Sequence, residues 1–134
     1  RLSGEEASGR RMDAFVGLLQ VGDEDEKADV AETLRELARD DDESRVAIAA
    51  AGGAEVLVSL ARDGNERQKV RAAGVLRNLS DNDDNSVAIA AAGGVEVLIS
   101  LARDGTKGQK VRAAGVLRNL AMNDDNRVAI AAAG

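Results

Sequence analysis

The heptapeptide Val-Ala-Ile-Ala-Ala-Ala-Gly occurs three times in the sequence, at residues 46–52, 87–93 and 128–134. Both intervals are 41 residues long. Residues 53–93 align with residues 94–134 without a gap and share 33 identities in 41 positions. A period of this length is typical of helical solenoids, in which each unit buries its apolar face against its neighbours. The repeat therefore predicts an array of stacked units.

A more diverged copy of the unit occupies residues 13–52. It is offset from the second copy by 42 residues up to Leu37 and by 41 residues from Arg45 onward. One extra residue therefore lies in the acidic loop 40–43. We predict a polar leader at residues 1–10 and a repeat domain at residues 11–134, with units at about 11–52, 53–93 and 94–134.

The apolar residues within a unit follow a helical period. Val56, Leu57, Leu60 and Ala61 lie on one side of a helix, in the i, i+1, i+4, i+5 pattern of a buried helix. Gly64 follows as an expected left-handed C-cap, and the Asp/Asn cluster at 81–85 supplies N-caps for a short helix. We predict one short and two longer helices per unit. The fold class is all-α, with no strands.

This three-helix unit resembles the armadillo repeat. The resemblance rests on residues 85–93 as the first helix, 94–103 as the second and 109–120 as the third. The segment Val-Leu-Arg-Asn-Leu, at 75–79 and again at 116–120, is similar to the third-helix core of β-catenin-like arrays. HEAT repeats are the competing assignment.

The resemblance implies a right-handed α-solenoid whose third helices line a concave groove. In the family, that groove binds extended peptides, often through a ladder of asparagines that contact the ligand backbone. Importin-α-type receptors carry a Trp four residues before the groove Asn. This chain has Gly74, Gly115 and Glu32 at those positions, so we do not expect it to recognise basic localisation signals.

The groove residues follow from the helical angle of about 100° per residue, which places Asn78 opposite the apolar side of its helix. An amide offers a donor and an acceptor to an extended peptide, and a guanidinium suits a carboxylate or phosphate. The alternative is that an exposed Asn is simply solvated. The glycines on this face either admit a ligand or a neighbouring third helix, or are ordinary drift. The candidate groove residues are Arg67, Arg71, Gly74 and Asn78 in the second unit, and Arg112, Gly115 and Asn119 in the third.

The first unit carries acidic residues at every groove position: Asp25, Asp29, Glu32 and Glu36. The groove is therefore predicted to run from negative at its N-terminal end to positive over the next two units. One explanation is that a terminal repeat needs a polar face for solubility. The other is recognition of a peptide with opposite charges at its two ends.

Composition excludes several function classes. The chain has 134 residues, 24 acidic and 18 basic, and a formal net charge of −6, so it lacks the field that draws proteins onto phosphate backbones. It has no His or Cys, hence no triad base, thiolate nucleophile or zinc ligand set of nitrogen and sulfur. Its acidic clusters are expected on solvated surfaces where nothing shifts a pKa. We predict no enzyme activity, no metal or other cofactor, and no nucleic-acid partner.

The leading interpretation is a protein–protein interaction scaffold that binds an extended peptide segment of a partner along the third-helix groove. The alternative is a structural subunit or fragment of a larger assembly that packs through its ends and loops. No run approaches 18 apolar residues, which predicts no membrane insertion. We expect an intracellular protein, in the cytoplasm or the nucleus. The sequence stops after a first helix, so we expect a piece of a longer array, or self-association at the C-terminal end.

Overall fold

The computed structural model describes residues 4–133, and over that range it confirms the all-α prediction. Nine α-helices and no strand lie between these residues. Two successive groups, α3–α5 and α6–α8, each contain a short, a longer and a longest helix, as predicted. The helices are α1 (Gly4–Val21), α2 (Glu24–Asp40), α3 (Asp42–Ala50), α4 (Gly53–Asp63), α5 (Glu66–Leu79), α6 (Asp83–Ala91), α7 (Gly94–Asp104), α8 (Lys107–Ala121) and α9 (Asp124–Ala133).

Helix α1 starts earlier in the chain than the repeat pattern does. It begins at Gly4, inside the stretch 1–10 that the sequence sets apart as a leader. Residues 1–3 lie outside the described part of the chain. The unit boundaries at 11–52, 53–93 and 94–134 stay a prediction.

Glycines govern the sharp turns, but not at the position that the sequence suggests. The prediction for Gly64 is wrong: its φ of −72° and ψ of 174° are extended, and its N–H donates to the carbonyl of Leu60 at 2.9 Å. The left-handed glycines are Gly52 (φ 82°) and Gly93 (φ 85°), between the short helix and the next. This conformation favours glycine because it has no Cβ. The two turns bend α3 against α4 by 79° and α6 against α7 by 86°.

The core is a continuous stripe of Leu, Val, Ile and Ala that crosses all the units. Leu57, Leu60 and Ala61 are buried as predicted, and Val56 is half-buried against the same cluster. The third helices α2, α5 and α8 pack side by side. Each unit therefore buries its apolar face against its neighbours, as a solenoid requires.

Single helices and bent helix pairs between residues 4 and 133 differ in whether their length and composition suit a membrane span. Between residues 4 and 133, no single helix has both the length and the apolar character needed to cross a bilayer. The bent pairs α3–α4 and α6–α7 do meet the test of length and composition when each pair is taken together. Buried core helices of soluble proteins meet the same test.

Candidate functional site

The solvent-facing residues of α2, α5 and α8 form one continuous surface, here called the third-helix surface. All the sequence-predicted groove residues lie on these three helices. Arg67 and Glu36 are exposed, Asn78 and Asn119 are half-buried, and Gly74 is buried. The predicted groove residues of α5 and those of α8 lie next to each other. The evidence is that Gly74 and Gly115 each contact an arginine of a neighbouring third helix.

The two groove asparagines bind the preceding repeat. Asn78 Nδ2 donates to the backbone carbonyl of Arg35 in α2 at 2.9 Å. Asn119 Nδ2 donates to Ser80 Oγ at 2.9 Å and to Asp81 Oδ1 at 3.2 Å. The donor side of each amide is therefore engaged within the described residues. Each side-chain oxygen stays available as an acceptor.

Three further amides donate to a backbone carbonyl of the preceding repeat, and sequence reasoning missed them. Gln68 Nε2 donates to the carbonyl of Glu24, and Gln109 Nε2 to that of Glu66, both at 3.2 Å. Asn85 Nδ2 makes the same kind of bond to the carbonyl of a residue in α3, also at 3.2 Å. Both glutamines are also the third residues of capping boxes at α5 and α8. The sequence signal was a Gln three residues after an N-cap, which predicts the box but not the link.

The acidic row of α2 is engaged by arginines of α5. Arg67 contacts Asp25 at 3.0 Å and Asp29 at 3.4 Å, and Arg71 contacts Asp29 at 3.2 Å. The negative and positive ends of the predicted groove therefore meet across the α2–α5 contact. These pairs are largely exposed, so each stabilises the fold by less than about 1 kcal/mol.

The third acidic position, Glu32, differs because its partner is on its own helix. Arg35 donates from Nη2 at 2.7 Å and from Nε at 3.2 Å to the Glu32 carboxylate. This hydrogen bond, with the added charge of nearby arginines, lowers the pKa of Glu32 below its ordinary value. The pKa of Asp23 is also lowered, first by a hydrogen bond from the backbone of Glu26. The expectation that no acidic group has a shifted pKa is therefore wrong. Both shifts keep the carboxylate ionised, which does not suit a general acid at neutral pH.

The mid-helix glycines admit arginine side chains of neighbouring third helices. A Cβ at Gly74 would lie 2.8 Å from Arg112 Nη1 and 2.8 Å from Arg35 Cδ. A Cβ at Gly115 would lie 2.6 Å from Arg77 Nε. Of the two explanations that the sequence left open, close approach of a neighbouring third helix therefore accounts for both glycines.

An open cavity of about 390 Å³ lies between α5 and α8 on the third-helix surface. It brings together Asn78, Gly115 and Asn119 of the predicted residues. The predicted residues that do not line it are Arg67, Arg71, Gly74, Arg112 and the acidic row. Its other lining residues, which sequence reasoning did not single out, are Arg39, Arg77, Asp81 and Arg118. Three arginines against one carboxylate make the cavity positive.

Two other cavities lie at equivalent positions on the loop edge of successive repeats. One of about 430 Å³ is lined in part by Gly64 and Gln68, and one of about 310 Å³ by Gly105 and Gln109. The glutamine side chains there are already engaged in capping and in links between repeats. Within residues 4–133, no group of three or more acidic side chains is arranged to hold a metal ion.

Comparisons with known proteins point to one repeat family. Residues 41–81 match the Armadillo/beta-catenin-like repeat. No curated protein matches the chain. Among solved structures, two engineered proteins are each 34% identical, with TM-scores of 0.88 and 0.87, over 92% of this chain and 51% and 30% of theirs. A designed armadillo repeat protein in complex with the peptide (KR)4 is 22% identical, with a TM-score of 0.86, over 92% of this chain and 52% of that protein. The chain thus spans about half or less of the length of these proteins.

Proposed function

The chain is an armadillo-repeat protein with the predicted all-α solenoid fold, and on that premise we propose that it binds an extended segment of a partner protein along the third-helix surface. Armadillo repeat proteins are generally non-enzymatic scaffolds. One solved relative of the same fold carries a peptide. The proposal extends this kind of binding to the present chain.

The observation that carries the proposal is the cavity between α5 and α8. It is lined by Asn78 and Asn119, whose side-chain oxygens accept no hydrogen bond within the described residues. An extended backbone presents N–H groups, which these oxygens can accept. It also presents carbonyl groups, for which Arg77 and Arg118 can supply some of the five N–H donors of each guanidinium. Recognition of the backbone therefore divides between amide acceptors and guanidinium donors.

The test is a random-peptide display selection against the chain, followed by NMR mapping of the enriched peptides on the ¹⁵N-labelled protein. We expect the largest shifts at amides of α5 and α8. We also expect the paired substitutions Asn78→Ala and Asn119→Ala to weaken binding, with circular dichroism to confirm folding. Gln20→Ala, at an exposed position of α1, is the control.

Shifts confined to the loops or to the terminal helices would contradict the proposal. That result would favour the alternative of an assembly piece that packs through its ends and loops, with self-association as one form of it. An intracellular location stays a prediction.

A further inference from the structure

Arginines occupy equivalent positions on the three third helices, but only the first has a carboxylate partner. Arg35 of α2 corresponds to Arg77 of α5, 42 residues later, and to Arg118 of α8, 41 residues after that. Arg35 binds Glu32, one turn earlier on the same helix, through Nε and Nη2. Within the described part of the chain, neither Arg77 nor Arg118 forms an ion pair with an acidic side chain.

The difference between the repeats comes from one position. The residue one turn before Arg77 is Gly74, and the residue one turn before Arg118 is Gly115. Both replace the glutamate of the first unit. The first unit therefore displays a carboxylate bound by the arginine of this surface, and the next two units repeat the arginine without the carboxylate.

Uncompensated positive charge accumulates around these glycines. Arg112 Nη1 donates to the carbonyl of Val70 at 2.7 Å. Burial is the main cause that lowers the pKa of the Arg112 guanidinium, and the charges of Arg35, Arg71 and Arg77 lower it further. Among the described residues, the acidic group that opposes this effect on Arg112 is Glu32.

Three of the other acids near this surface are already engaged, whereas Glu36 forms no ion pair among the described residues. Asp25 and Asp29 are bound by the arginines at the N-terminal end of α5. Asp81, which lines the cavity, accepts a hydrogen bond from Asn119. Arg39, at the opposite wall, is paired with its neighbour Asp40. Among the described arginines of this surface, those that form no ion pair are thus Arg77, Arg112 and Arg118.

We infer that the third-helix surface selects an acidic extended segment, and that Arg77 and Arg118 bind its carboxylate side chains, as Arg35 binds Glu32 in the first unit. The inference rests on the proposed function and specifies its ligand. A ligand carboxylate would complete the bidentate pair for which a guanidinium is shaped. The preferred charge is opposite to that of the (KR)4 peptide on the designed relative.

The experiment uses three fluorescein-labelled octapeptides that alternate Ser with Glu, with Lys or with Gly. Alternation places every charged side chain on one face of an extended peptide, whatever its register. Fluorescence anisotropy gives each Kd, and NMR mapping shows where each peptide binds. The test variant is Arg77→Gln with Arg118→Gln. The matched control is Arg62→Gln with Arg103→Gln, which also removes two positive charges but at exposed ends of α4 and α7.

We expect the acidic peptide to bind at least about tenfold more tightly than the other two. The test variant weakens it by about tenfold or more, because hydrogen bonds to charged groups are lost, and the control by less than about twofold. Equal or tighter binding of the Lys or Gly peptide at α5 and α8 would overturn the acidic selectivity and leave the proposed function standing. Equal losses in the two variants would show only a general charge effect and also overturn the inference. Binding of no peptide at α5 and α8, in this experiment and in the display selection, would overturn both.

Discussion

Gln68 links two repeats with one side chain, and its replacement by alanine tests how the array is held together. Its Oε1 accepts the backbone N–H of Asn65 at 2.9 Å, which closes the capping box of α5. Its Nε2 donates to the carbonyl of Glu24 at the start of α2, 3.2 Å away. The side chain is 5% exposed. Gln68→Ala removes both bonds at once.

The expected loss follows from these contacts. Each hydrogen bond contributes about 1 kcal/mol net, and the missing methylene contributes about 0.8 kcal/mol of apolar burial. Alanine recovers a few tenths of a kcal/mol in helix propensity. Gln68→Ala should therefore lower the free energy of unfolding by about 2 to 3 kcal/mol. Gln109→Ala should cost about the same, because its side chain makes equivalent bonds and is 3% exposed.

The assay is urea unfolding followed by circular dichroism at 222 nm. Gln68→Glu separates the two bonds, because it retains the acceptor of the capping box and loses the donor to Glu24. We expect it to cost about 1 kcal/mol or more. Gln20→Ala, at an exposed site on α1, should stay within about 0.5 kcal/mol of the unmodified chain.

A free energy of unfolding for Gln68→Ala within about 0.5 kcal/mol of the unmodified chain would refute the assignment of this amide as a link. A loss for Gln20→Ala as large as for Gln68→Ala would show that the effect is a general one of removing glutamine. Either result would also weaken the interpretation of Asn78, whose Nδ2 makes the same kind of bond.

Three other predictions concern charge, backbone conformation and pH. Asp29→Asn removes two largely exposed ion pairs to α5, so it should lower the free energy of unfolding by less than about 1 kcal/mol. Urea titrations at high salt should show a smaller difference from the unmodified chain, because salt screens these pairs. Gly17→Ala should raise the free energy of unfolding by about 1 kcal/mol, since nothing lies within 4 Å of the added Cβ in α1. Gly52→Ala should lower it by about 1 to 2 kcal/mol, because the φ of Gly52 is +82°. Thermal unfolding should therefore show a higher Tm for the first variant and a lower Tm for the second. The folded-state pKa of Glu32 is lowered from 4.5, so its contribution is present above pH 4.5 and is lost as the pH falls through the folded-state pKa. Urea unfolding at a series of pH values gives the difference in free energy of unfolding between the unmodified chain and Glu32→Gln. This difference should shrink to zero over that acidic range. A difference independent of pH would contradict the stabilising role of the Glu32 carboxylate.

Much of the fold could be predicted because its signals are local. The positions of Leu57, Leu60 and Ala61 identify a buried helix face from its period alone, and all three are buried. The Asp/Asn cluster at 81–85 was correctly expected to supply an N-cap, which is Asn82, although residues 83–85 belong to α6 itself. Gly64 was misassigned because a glycine after a helix signals a stop, while the choice between left-handed and extended backbone depends on the helix that follows.

The candidate site was predicted less completely. Helical angles placed Asn78 and Asn119 opposite the apolar side of their helices, and both line the cavity between α5 and α8. The same reasoning treated the acidic row as an open end of a groove, although Asp25 and Asp29 are bound by arginines. Arg77 was passed over because the helical angle places it about 100° from Asn78. Its contact with Gly115 depends on how α8 packs against α5.

The sequence by itself determined the helices, their order and the apolar stripe that stacks them. These follow from a 41-residue period and from residues a few positions apart, which the chain brings together locally. The tertiary structure alone decided which polar groups meet between units, because those contacts join residues about 40 positions apart. The amide bond from Asn78 to Arg35 and the ion pairs of Asp29 depend on how one repeat is rotated on the next. If one repeat were displaced by a few ångströms on the next, every helix would stay intact. Each of these side chains would have a different partner, because hydrogen bonds lose their strength over such distances.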